Sequence, residues 1–320
     1  MSGTQSTGNP SYIERKIDIT LILGTGTFGA TGQNTVKLSN LRCAVTIAEV
    51  GFPSFTTTET RIYGLAPSLM QQLSTMGVPL PMQRKNQIIV EAGDAVNGMA
   101  IVASNYILTA TQKFAGMPET FLQVVSNTGA FDAMAPVPPI SFPGAADVAT
   151  IMSGIAVRMG RTFENNGVQV QLSNPYFPGT AIDQAHSLAR AANIELYDEG
   201  PGRRLAIWPK NKTRGGAIPL ISVASGLIGY PESSDQGMRF RCLFNPNIAL
   251  GGKIQMQSSL GTVSNPPVAA TGSTQQQVQA AGPNGIWYVG APLSHDLSAQ
   301  IPNGPWFTDA YCARTFLPKS

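Results

Sequence analysis

Apolar and polar residues alternate through Arg15-Lys16-Ile17-Asp18-Ile19-Thr20-Leu21 and again through Leu41-Arg42-Cys43-Ala44-Val45-Thr46-Ile47, the period of a strand with one buried face. The period persists to about Gly129, predicting strands at 87–91, 99–109 and 120–126 between the turn formers Gly93-Asp94, Gly98 and Gly116-Met117-Pro118. Val36 and Leu38 fall on the opposite parity from Leu41, Cys43, Val45 and Ile47, which calls for a bulge or tight bend near Ser39-Asn40. One short helix interrupts the strands. Leu65, Leu69, Leu73 and Met76 share a face, Pro67 suits the first turn, and Gly77 followed by Pro79 ends it, so this helix should cover a sheet.

Ala135-Pro136-Val137-Pro138-Pro139 marks a boundary, because proline fixes φ and lacks the donor that a central strand needs. Beyond it the period becomes helical: Val148, Ile151, Met152, Ile155 and Met159 lie on one face before Gly160. A second helix opens at Thr180 with Asp183 three residues on, a capping-box pattern, and runs through Leu188 to Ala192. Strand-like stretches at 168–172, 194–197 and 205–208 complete an α+β unit, the last two joined by Gly200-Pro201-Gly202. Alternation then returns at 238–242, 253–257, 286–289 and 306–312. Residues 261–284 are rich in Ser, Thr, Gln, Pro and Gly and read as a long mobile loop that orders against a partner. The chain thus divides into a flexible N-terminal arm (1–14), a first β domain (15–134), an α+β insert (135–214) and a second β domain (215–320).

Composition agrees with that picture. Only 12% of residues are charged, against about 25% in average globular chains, while 33 glycines and 24 prolines suit turn-rich β structure. A neutral, polar exterior fits a subunit buried among neighbours. The net charge of +3 arises from 21 basic and 18 acidic residues without runs, which gives no electrostatic footprint for a nucleic-acid duplex. Cys43, Cys242 and Cys312 are far apart and never in a Cys-x-x-Cys pair, so they read as core residues and not as a disulfide framework or zinc site. The first ten residues hold no apolar signal-peptide core, and no window approaches 18 apolar residues, so neither secretion by signal peptide nor membrane spanning is expected.

Candidate chemistry is thin. Gly24-Thr25-Gly26-Thr27-Phe28-Gly29 matches the dinucleotide-binding glycine pattern, with Glu49 further on. That pattern works by opening a helix at the pyrophosphate; here a poor helix former and a strand follow, so a hairpin tip is the better reading. Ser294-His295-Asp296 spells a catalytic triad, but consecutive strand residues point to alternate sides. His186 lies within a helix, and two histidines leave little for metal ligation. Asp198-Glu199 beside Arg203-Arg204 reads as a solvated salt-bridge cluster at a turn. Trp287-Tyr288 and Trp306-Phe307 differ from these, since strand neighbours face opposite ways and one member of each pair should leave the core to meet a partner. No catalytic, cofactor-binding or metal-binding residue is assigned.

Three stretches carry a family resemblance: Arg61-Ile62-Tyr63-Gly64-Leu65 running into the Leu69 helix; 222–250, with Leu227-Ile228-Gly229-Tyr230-Pro231, Arg241-Cys242-Leu243-Phe244-Asn245-Pro246 and then Gly251-Gly252-Lys253-Ile254; and His295-Asp296 followed by Pro305-Trp306-Phe307-Thr308. Most of the chain from Arg15 onward resembles the baseplate hub proteins of contractile-tailed bacteriophages, the tail hub or late-control-D-like family. That resemblance implies two tube-like β-barrel domains flanking the insert. It also implies a homotrimer whose pseudo-sixfold ring joins the sixfold tail tube to the threefold central spike. Expected partners are the spike, the tube or tube-initiator protein, and baseplate wedge and tape-measure proteins, in a virion assembled from subunits made in the host cytoplasm. No cofactor or catalytic motif comes with it, and no lysozyme-like acid pair is present. The alternatives are a hub of a related bacterial injection or secretion machine and a β-scaffold enzyme acting on polysaccharide.

Overall fold

The computed structural model describes residues 14–29, 32–51, 53–94, 97–114, 119–210, 212–234, 237–258 and 283–314. The predicted loop is thus outside the described residues except at its last two positions, and so is the predicted arm except at Glu14.

The first β unit contains β1 (Arg15–Ile22), β2 (Thr35–Leu38), β3 (Cys43–Glu49), β4 (Thr57–Tyr63), β5 (Gln87–Asp94), β6 (Gly98–Lys113) and β7 (Phe121–Asn127), paired antiparallel in the order β2-β1-β5-β6-β7-β4-β3. The alternation read from sequence is the burial seen: Ile17, Ile19 and Leu21 of β1 and Cys43, Val45 and Ile47 of β3 point into one core. The parity break near Ser39-Asn40 is a bend and not a bulge, since β2 pairs β1 whereas β3 pairs β4, and Asn40 turns the chain with φ 57°. Asparagine tolerates that left-handed backbone better than most residues. Helix α1 (Pro67–Leu73) covers this core with Met70 and Leu73, and the Thr75 N–H and hydroxyl clamp its end to Ala110.

The insert packs α2 (Val148–Arg158) and α3 (Ala181–Ala191) against a three-stranded sheet. In chain order its strands are β8 (Ile140–Ser141), β9 (Ala145–Asp147), β10 (Thr162–Asn165), β11 (Gln171–Ser173), β12 (Tyr176–Phe177), β13 (Ile194–Asp198) and β14 (Arg204–Pro209). The sheet order is β10-β14-β13, with β10 parallel and β13 antiparallel to β14. The expected strand at 168–172 shrinks to β11, with Val168 buried ahead of it. Strand β10 escapes the sequence reading because Thr162-Phe163-Glu164-Asn165 does not alternate and its partner lies about forty residues away. The capping box on α3 forms as expected: the Thr180 hydroxyl accepts from the Asp183 N–H while Asp183 accepts from the Thr180 N–H. Thr180→Ala should cost about 1 kcal/mol, read as a lowered urea midpoint with an unchanged slope.

The chain then returns to β structure as β15 (Leu220–Ile221), β16 (Leu227–Ser234), β17 (Gly237–Leu243), β18 (Lys253–Met256), β19 (Gly285–Ala299) and β20 (Trp306–Ala313). Strand β19 decides the architecture. Its first part pairs β18, its last part, 293–299, pairs β3, and a register shift between Gly290 and Leu293 separates the two. All these strands therefore belong to one 13-stranded sheet whose main path runs β16-β17-β20-β19-β3-β4-β7-β6-β5-β1-β2. Leu297, Ala299 and Trp306 accordingly enter the first core. Strand β14 is a wall between two other cores: Leu205 and Ile207 face the insert helices, whereas Ala206 and Trp208 face the second β unit. Burial on both faces explains why Leu205-Ala206-Ile207-Trp208 is a continuous apolar run.

Candidate functional site

The four aromatic residues expected to meet partners separate by parity. Trp287 is 6% exposed, and its Nε1 donates to the Pro283 carbonyl at 2.7 Å; Trp306 is 7% exposed and packs edge-on against Phe244 with ring centres 5.3 Å apart. Both belong to cores. Tyr288 and Phe307 have the opposite parity and are half-buried, Tyr288 beside Trp208 and Glu195 of the insert and Phe307 on the open sheet face. Phe307 sits under the Arg241 guanidinium at 5.5 Å, and Arg241 forms a two-pronged pair with Asp309 at 2.7 and 2.8 Å. Along this outward face Thr46 donates to Asp296 at 2.9 Å, and Glu59 accepts from both Arg61 and Gln123. Such exposed pairs hold side chains in place but contribute little stability.

The tempting motifs resolve as scaffold. The glycine-rich stretch lies in the β1–β2 hairpin connection, where the Leu23 and Phe28 N–H groups bond the Asn34 and Gln33 carbonyls. Gly24 lies so near the chain opposite that a Cβ would be 1.6 Å from the Arg84 carbonyl oxygen, so the glycine is there for close packing and not for a pyrophosphate. With Gly29 and Phe28, this tip walls a cleft of about 900 Å³ whose other side is α1 and the segment through Val78 and Met82. In the triad-like stretch, His295 points inward, its Nδ1 3.0 Å from the Thr308 hydroxyl, and burial pushes it down to about 4, whereas Asp296 faces outward to Thr46. The geometry holds no nucleophile-to-base relay. Burial likewise pushes each of Cys43, Cys242 and Cys312 up to about 12, so these thiols are inert packing groups. Among the described residues no group of three or more His, Cys, Asp or Glu could hold a metal ion, and no helix is long and apolar enough to cross a membrane.

The cluster around Asp198-Glu199 is larger than the sequence suggests, and its centre is buried rather than solvated, with Arg203 and Arg204 at its open rim. Arg161, fully enclosed, straddles Asp198 with Nε 2.9 Å and Nη2 3.0 Å from its two oxygens, and donates to the Thr128 carbonyl at 2.7 Å. Asp132 also pairs with Arg161, at 2.9 Å. Burial opposes the Arg161 charge, but Asp198 and Asp132 outweigh it and raise its pKa. Around Glu199, Arg214 reaches both Glu199 and Glu164, while Arg203 and Arg204 pair from the turn at 3.3 and 3.2 Å. Hydrogen bonds from Arg214 lead the causes that hold Glu164 down at about 2. Thr128 and Asp132 belong to the end of the first unit, and the other members belong to the insert and its exit. The network therefore seats the insert on the sheet. Its partners are 37 and 50 residues apart for Arg161–Asp198 and Arg214–Glu164, a separation no local pattern reveals.

A single, mainly antiparallel sheet carried through two β units, with an α+β insert locked against it, has counterparts among solved phage tail proteins. By structure the chain is similar to a tail protein from Neisseria meningitidis (7% identity, 93% of this chain and 96% of that one, TM-score 0.56) and to a 43 kDa prophage tail protein from Shewanella oneidensis (9%, 93% and 97%, TM-score 0.52). It is also similar to an E. coli type VI secretion component described as resembling bacteriophage T4 tail proteins (8%, 87% and 74%, TM-score 0.53). No curated protein matches by sequence. The chain belongs to the baseplate hub gp41 family, whose profile matches residues 19–271. It is a structural component of the phage tail.

Proposed function

We propose that the chain is the trimeric hub of a contractile tail, joining the sixfold tube to the threefold spike, and that it performs no catalysis. The observation that carries this is the β19–β3 pairing, which fuses two β units of one subunit edge to edge. Three such subunits supply six β units, the number needed to match a sixfold tube while keeping a threefold face for the spike. In this reading the domains are 15–134, 135–214 and 215–320. The two sheet ends, β16 and β2, lack an outer strand partner among the described residues and meet neighbouring subunits. Phe307, on the outward sheet face, and Tyr288, at the edge where that face meets the insert, are the aromatic contacts to partners; Trp287 and Trp306 support them from the core. Tube, spike, wedge and tape-measure proteins are the partner classes, within the virion tail. The likeness to a type VI secretion component supports a second reading, the hub of a bacterial injection machine with the same ring.

Light scattering of the purified chain, alone and with its spike, tests this. A trimer, alone or on adding the spike, is the expected result. Thr46→Lys, Leu243→Glu and Phe307→Glu on the outward face should abolish that trimer while leaving circular dichroism and the thermal midpoint unchanged. A monomer indifferent to the spike, or trimers that persist through all three changes, would sink the ring.

A further inference from the structure

Glu49 closes β3 at the place where all three units meet, beside a cleft of about 50 Å³. From β13 the Tyr197 hydroxyl donates to its Oε2, and Thr56 in turn bonds that hydroxyl. Glu199 and Arg203 face it from the turn after β13, Arg214 from the chain leaving the insert, and His295 from β19. The ion pairs of the surrounding network join four carboxylates, Asp132, Glu164, Asp198 and Glu199, to four arginines, Arg161, Arg203, Arg204 and Arg214. Glu49 is in none of these pairs. It is the fifth carboxylate in a junction whose other formal charges cancel.

We propose that Glu49 is a proton-dependent latch, seating the insert on β3 while neutral and loosening it when ionised. Ionisation would add a negative charge beside Glu199 in a half-buried junction whose arginines are already paired. The direction of the titration agrees: burial raises Glu49 to about 7, and the opposing hydrogen bond from Tyr197 and the attraction of Arg203 and Arg214 are smaller. Burial and the neighbouring Glu49 raise Tyr197 far above its ordinary range, so it stays a donor. His295, held near about 4 by its own burial, stays neutral and supplies no compensating positive charge. Because the folded state holds this proton more tightly than the unfolded chain, whose value is 4.5, the stabilisation is complete below 4.5 and is lost as pH rises through about 7.

The test uses the full chain and three proteins, wild type, Glu49→Gln and Tyr197→Phe, followed from about pH 5 to about pH 8. Infrared difference spectra between wild type and Glu49→Gln should show a protonated-carboxyl carbonyl band that disappears near about pH 7. Over the same range the wild-type thermal midpoint should fall relative to that of Glu49→Gln, and hydrogen exchange in β13, corrected for intrinsic rates, should rise only in wild type. Tyr197→Phe removes a hydrogen bond that favours the ionised form, so its carbonyl band should persist to higher pH. Superimposable pH profiles for wild type and Glu49→Gln, or no protonated-carboxyl band in wild type or Tyr197→Phe at the acid end, would overturn the latch.

Discussion

Replacing Arg161 by leucine should destabilise the protein by about 3–5 kcal/mol, the cost of removing one partner from a buried ion pair and leaving the other charged. The side chain is fully enclosed and makes contacts to three segments: Asp198 in β13, Thr128 and Asp132 beyond β7, and the Met159 carbonyl at the end of α2. Leucine fills part of the volume but leaves Asp198 and Asp132 facing each other and the Thr128 carbonyl without a donor. Lysine keeps the charge yet cannot make the two-pronged bond to Asp198, so Arg161→Lys should fall between leucine and wild type. The urea midpoint ranks the variants. Adding Asp132→Asn and Asp198→Asn to the leucine variant should recover a large part of the loss, because the damage is unpaired charge and not missing volume. A leucine variant within about 1 kcal/mol of wild type would show that the pair is too hydrated to hold the insert.

How much of this was readable beforehand depends on the range over which each feature is encoded. The strands of the first unit, the Thr180 cap and the return to alternation after the insert are local periods, and each appears in the fold near where the sequence puts it. Alternation even placed one member of each aromatic pair outside the core. It did not say which, because the parity of Trp287 in β19 and of Trp306 in β20 is set by strands elsewhere in the chain, β18 and β17. Asp198-Glu199 and Arg203-Arg204 were visible as charged doublets, but Arg161, Glu164 and Arg214, which turn them into a buried network, come from other elements. The doublets flanked by apolar strands were the available signal that this turn sits inside the protein. The fusion of the two β units had no local signal, since Leu293 through Ala299 pairs with a strand some 250 residues earlier.

The turn that carries those doublets yields the second large effect, through two glycines two residues apart. Gly200 and Gly202 both have left-handed backbones, φ 87° and 72°, so a side chain at either costs about 1–2 kcal/mol from conformation alone. Their surroundings differ. A Cβ on Gly200 would lie 1.9 Å from the Ser104 carbonyl oxygen of β6 and 3.1 Å from the Thr128 methyl, whereas one on Gly202 meets nothing within 4 Å. Between them, the Pro201 carbonyl accepts a hydrogen bond from the buried Ser104 hydroxyl, so the turn is pressed onto β6 and has no room to retreat without breaking that contact. Gly202→Ala should therefore show the conformational cost only. Gly200→Ala should exceed about 4 kcal/mol, a loss reserved for backbone clashes in enclosed sites, and should strip hydrogen-exchange protection from β13 and β14 before the outer strands of the sheet. Equal losses at the two positions would mean that the turn stands clear of β6.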